Sequence, residues 1–157
     1  MKLNNLHLAW ITLALIVFQF IINNLTIFYV DLVAILLVSI LLLGSYTWTQ
    51  LIVLSLVADL IGHWYLGSHL LAITLLSLMS GSFVNFYRMC NWLQRTMIAS
   101  AFFLLLMLII YLLELLTAKK ISSPWSLLIE VFILIPLVQL LLNNLLSSYA
   151  SGFMYND

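Results

Sequence analysis

The chain has 157 residues, 66% of them hydrophobic and 6% charged, with five Lys or Arg balancing five Asp or Glu. Soluble domains carry about 25% charged residues, so this composition, at a mean hydropathy of +1.23, excludes a surface that faces water. Zero net charge gives no sign of a nucleic-acid partner, which would require a basic patch.

A helix needs about 20 apolar residues to cross a hydrocarbon layer of about 30 Å. Six segments predict an all-α transmembrane bundle of about six spans, residues 1–157 forming one domain. The first is Leu8 to Phe28, interrupted by Asn23 and Asn24 near its far end. No cleavable leader is expected, because this segment is long and lacks a small-residue cleavage site behind a short apolar core. The second span runs from Asp31 to Leu43, and Gly44 to Thr47 offer a turn before Trp48 at the interface. Asp31 to Tyr65 is not read as one helix, since about 35 residues would run roughly 50 Å. The third span is therefore Thr49 to Tyr65, and Leu66-Gly67-Ser68 breaks the chain again. His69 to Tyr87 is the fourth span, followed by a polar stretch from Arg88 to Arg95. Thr96 to Leu116 is the fifth, and Trp125 to Leu146 the sixth, kinked by Pro136, whose ring removes a backbone hydrogen bond. Strands of a closed barrel would alternate apolar and polar residues, and these segments do not. Lys2, Arg88 and Arg95 on one side against Lys119 and Lys120 on the other predict both termini inside.

Ionisable groups within a span cost about 2.5–3.5 kcal/mol on insertion scales, so each calls for a reason. Asp59 lies about ten residues into the third span, and roughly 15 Å of helical rise puts it near the midplane. Ser55, Gly62 and His63 share its face. A proton or ligand site is one reading. A packing site, with the carboxyl hydrogen-bonded to Ser55, His63 or the fourth helix, is favoured because so few groups make a poor transport path. Hydrogen bonding and modest size would then suffice, and Asp59→Asn is expected to preserve assembly. Ser77, Gly81 and Asn85 repeat every four residues on the fourth span, a small-xxx-small face suited to close helix packing. Gln139, Asn143 and Ser147 share a face of the sixth span, for packing or for a partner helix. Asp31, Glu114 and Glu130 fall near the outer ends of their spans, the last two close to Lys119 and Lys120. Ion pairing at a wet interface is the simpler account, an acidic docking rim the sharper one.

Chemistry has little to stand on. Cys90 is the single cysteine, so no intrachain disulfide or paired-cysteine site is possible. Neither a metalloprotease H-E-x-x-H nor a phosphate-binding glycine loop occurs. Ser80-Gly81-Ser82 with His63 or His69 lacks the surroundings of a nucleophile. No enzyme activity, metal or cofactor is expected.

The stretch Asp59-Leu-Ile-Gly-His-Trp-Tyr-Leu66-Gly67-Ser-His-Leu-Leu71-Ala72 resembles the central signature of the MreD family of rod shape-determining membrane proteins: Asp-Leu, a short mostly small or polar interval, Leu-Gly, then an apolar helix. The upstream run from Asp31 and the overall length agree with it. The chain departs from the pattern in bulky His63, Trp64 and Tyr65, so the resemblance asks no ligand role of His63. It implies a non-enzymatic scaffold of the bacterial cell-elongation machinery in the inner membrane. The implied partner is MreC, a bitopic protein, and through it MreB, RodA and the elongation transpeptidase. The implied fold is similar to that of the S components of vitamin transporters, and Asp59, Leu66 and Gly67 are the signature positions. An S component itself is the alternative. Those proteins resemble one another in an A-x-x-x-A face of the first span, whereas Ala9 and Ala14 here are five apart.

Overall fold

The computed structural model describes residues 5–25, 30–44, 46–62, 65–116 and 128–140, and among these it is helical with no strand. The helices are α1 (Asn5–Leu25), α2 (Leu32–Leu43), α3 (Trp48–Gly62), α4 (Ser68–Met89) and α5 (Trp92–Leu116). A last helix, α6, is described over residues 128–140. Three helices, Leu6–Leu25, Ser68–Met89 and Trp92–Leu113, are long and apolar enough to cross a membrane. The others are shorter. At 1.5 Å per residue α2 rises only about 18 Å, well below a full crossing.

The short helix is the centre of the bundle. Every residue from Leu32 to Leu42 is buried, and α1, α3, α4 and α5 all pack on α2. A helix that is apolar on every side belongs inside protein or lipid, and here it is wrapped by its own chain. It therefore need not match the lipid thickness. Lipid tails are as apolar as leucine, so packing and hydrogen bonds, rather than expulsion of water, hold such helices together.

Two connections show why the elements start and stop where they do. Gly44 ends α2 at φ +62° and donates its N–H to the Leu41 carbonyl. That left-handed conformation favours glycine. A Cβ there would also lie 2.7 Å from Cγ1 of Val84 on α4. Next, Thr47 and Gln50 form a reciprocal cap: Thr47 N–H donates to Gln50 Oε1 at 2.8 Å, and Gln50 N–H to Thr47 Oγ1 at 3.3 Å. This capping box starts α3. The expected polar loop from Arg88 to Arg95 is much shorter than its composition suggests. α4 continues to Met89 and α5 starts at Trp92, because these polar residues serve helix ends. Asn91 N–H donates to Gln94 Oε1. Arg95 donates to the carbonyls of Tyr87 and Arg88 at the end of α4. Arg88 donates to the Leu43 carbonyl through Nε and Nη2, closing the end of α2.

Pro136 disturbs α6 as its ring chemistry requires. The turn Glu130–Leu134 is a π-helix, with Ile135 N–H donating to the Glu130 carbonyl. Such a widened turn accommodates a ring that would otherwise strike the carbonyl four residues back.

The contacts fix the relative directions of the helices. Asp31, at the start of α2, lies beside His69 at the start of α4 and Glu130 near the first described residues of α6. Leu43, at the end of α2, lies beside Arg88 at the end of α4. The described acidic side chains thus gather at one end of the bundle and the described arginines at the other.

Candidate functional site

Among the described residues, the acidic end holds the most concentrated chemistry. Its origin is a difficulty of the fold: α2 begins inside the bundle, and the first N–H groups of any helix have no partner within it. No water is available in lipid to take them. Side chains of α1 and α6, with the N-cap residue itself, do so instead. Gln19 of α1 accepts from Leu32 N–H at 2.9 Å and from Val33 N–H at 3.3 Å. Asp31, the N-cap, accepts from Ala34 N–H at 3.0 Å. Glu130 of α6 accepts from the N–H of Asp31 itself at 2.6 Å. Asn23 adds a two-way link to Val30, accepting its N–H at 2.9 Å and donating to its carbonyl at 3.1 Å.

Asp59 serves the start of α4 in the same way. It lies in the last turn of α3, and its carboxylate accepts from Gly67 N–H at 2.6 Å and from His69 N–H at 3.0 Å. The imidazole Nδ1 of His69 lies 2.8 Å from Asp59 Oδ1, and Nε2 lies 3.4 Å from Asp31 Oδ2. Asp31, Asp59, His69 and Glu130 are each at most 2% exposed, and Gln19 is fully buried. The carboxylates of Asp31 and Asp59 thus sit at the positive ends of α2 and α4, which offsets part of their charge. Gly67 makes the turn possible: its φ of +98° is in the left-handed region, which suits glycine.

Several expectations change. Asp59 is near a helix end, not at mid-helix. Its partners are on α4, one of the alternatives foreseen, whereas Ser55 instead donates to the carbonyls of Leu51 and Ile52. His63 lies outside the described residues. Asp31 and Glu130 are buried caps, not members of a wet rim. Lys119 and Lys120 lie outside the described residues, as does the side chain of Glu114 on α5. Leu66 is 70% exposed on the turn. On the face of Ser77, Gly81 and Asn85, only Ser77 is half-buried. Gly81 and Asn85 are exposed, and a Cβ on Gly81 would meet nothing within 4 Å. α4 packs instead through His69, Ala72, Ile73, Leu76, Ser80 and Tyr87.

Gln139 belongs to a second polar link through the core. Tyr87 donates to Gln139 Oε1, and Gln139 Nε2 donates to Ser39 Oγ at 2.9 Å, joining α4, α6 and α2. Asn143 and Ser147 lie outside the described residues.

Gln19 is a member of the site that sequence reasoning passed over, and His69 was weighed there only as a base beside Ser80-Gly81-Ser82. His69 read as the first residue of a span, although it stands just behind the Leu-Gly turn that Asp59 caps. Gln19 had a signal too, as a lone amide within an apolar helix. Compared with family models, curated proteins and solved structures, the chain matches none.

Proposed function

We propose that the chain is a membrane scaffold of the MreD type, a non-enzymatic component of the bacterial cell-elongation machinery in the inner membrane. The observation that carries the reading is the bonding of Asp59 to the N–H groups of Gly67 and His69. It gives the spacing of Asp-Leu to Leu-Gly a physical meaning, since the aspartate binds the turn that the glycine forms. The site's polar groups are largely taken up with helix ends, which suits a rigid binding platform better than a reaction. The outward face of Ser77, Gly81 and Asn85 is the surface on which a bitopic MreC-like helix would pack. MreB, RodA and the elongation transpeptidase would be reached through that partner.

Affinity purification from the native membrane is expected to recover an MreC-like chain, and depletion is expected to turn rods into spheres. Recovery of an ATPase pair with a bound vitamin would instead establish the transporter reading.

The proposed topology is six spans with both termini inside, which puts Arg88 and Arg95 on the cytoplasmic side. Cys90 would lie there too, but it is only 7% exposed, so its thiol is shielded from a probe. Asn91 beside it is exposed. In a Cys90→Ser background, Asn91→Cys is expected to react with a membrane-impermeant maleimide only after spheroplasts are permeabilised. Reaction in intact spheroplasts would reverse the orientation.

A further inference from the structure

The imidazole of His69 stands between two buried carboxyl groups whose hydrogen-bonding roles differ. Both oxygens of Asp59 accept backbone N–H groups, so this carboxyl is the acceptor and Nδ1 of His69 carries the hydrogen between them. Asp31 is different. Its Oδ1 accepts from Ala34 N–H, while its Oδ2 makes no hydrogen bond and faces His69 Nε2 at 3.4 Å. A carboxylate oxygen and an unprotonated ring nitrogen are both acceptors, and two acceptors facing each other away from water repel. One proton on either atom turns the contact into an attraction.

Among the described residues, no cation faces this pair. From α6 comes Glu130, a further carboxyl, on the N–H of Asp31. From α1 comes the neutral amide of Gln19, whose Nε2 has no hydrogen-bond partner, and from α3 only Asp59. The described cation of α5, Arg95, is at the opposite end beside Tyr87, as is Arg88 of α4. Among the described groups, the two helix N-termini contribute about half a positive charge each, less than three ionised carboxylates would carry in a buried site.

We propose that Asp31 and His69 bind one proton between them, and that this proton fastens the start of α2 to the start of α4. With the proton bound, Asp31–His69–Asp59 is a continuous chain of hydrogen bonds across α2, α4 and α3. Without it, the link on the Asp31 side turns repulsive and the outer ends of α2 and α4 separate. This is a protonation-dependent joint, and it stands independently of the scaffold reading.

The test is magnetic resonance on the full chain in liposomes, with ring-15N histidine and carboxyl-13C aspartate. His7→Gln and His63→Gln leave His69 as the one imidazole. The expected result is one proton on the Asp31–His69 edge, seen either as a protonated Nε2 or as one protonated aspartic acid. Alkaline titration should remove it and speed hydrogen exchange at the His69 amide. Asp31→Asn places an amide N–H against Nε2 in its stead, so the alkaline change in exchange should be lost while the protein remains assembled. A bare Nε2 beside fully ionised aspartates in the unsubstituted Asp31 protein would overturn the proposal. So would an unchanged alkaline response in Asp31→Asn.

Discussion

Asp59→Leu is expected to remove most of the correctly folded protein, the largest loss of any single substitution at the acidic end. The carboxylate holds three donors: Gly67 N–H, His69 N–H and His69 Nδ1. Leucine accepts none of them. Each buried donor left unsatisfied costs about 1–3 kcal/mol, and breaking a buried charged pair costs about 3–5 kcal/mol. These terms overlap, yet either is a large share of the about 5–15 kcal/mol that stabilises a typical domain. Asp59→Asn, which the sequence presents as harmless, is expected to fall between leucine and the native residue. An amide has one acceptor oxygen, and its NH2 would point at one of the N–H donors. A loss of about 1–3 kcal/mol follows. Thermal unfolding in detergent, with the monodisperse fraction by size exclusion, should rank native above asparagine above leucine. Asparagine matching the native protein would mean that the two carboxylate oxygens are not both needed.

Gln19→Met is the second large effect, although it removes neither a charge nor volume. The side chains are similar in length, but methionine offers no good acceptor for the N–H groups of Leu32 and Val33. Both lie at the buried start of the central helix, where water cannot replace the lost oxygen. At about 1–3 kcal/mol for each orphaned amide, α2 should fray at that end. Faster hydrogen exchange at Leu32 and Val33 and a lower unfolding temperature are the expected readouts. Gln19→Glu keeps the acceptor and brings a further carboxyl beside Asp31, so it should protect the two amides better than methionine does. Native exchange rates in Gln19→Met would show that the amide of Gln19 is not what closes this helix end.

Both effects turn on partners that are remote in sequence. Asp31 meets Glu130 across 99 positions, and Gln139 meets Ser39 across 100. Residue patterning reports what one helix presents to its surroundings, and it cannot say which two helices share a polar contact. Asp59 illustrates the limit. Its burial and its need for a partner were legible in the sequence, since a carboxyl in an apolar segment is costly. That His69 is a partner was not, because it depends on how Gly67 turns the chain.

The sequence by itself determined the helical class, the approximate helix positions and the lipid-compatible surface, because hydropathy and helix length are local sums that folding does not alter. It also marked Gly44, Gly67 and Pro136 as places where the backbone departs from a regular helix. Only the tertiary structure decided that α2 is central, that the Ser77–Gly81–Asn85 face points outward, and that Asp31 and Glu130 are buried caps. In lipid the outside of a bundle is as apolar as its inside, so the contrast that separates core from surface in a soluble protein is missing here. What sorts the helices instead is where their unpaired backbone N–H groups can find an oxygen, and that is settled only once all of them are packed.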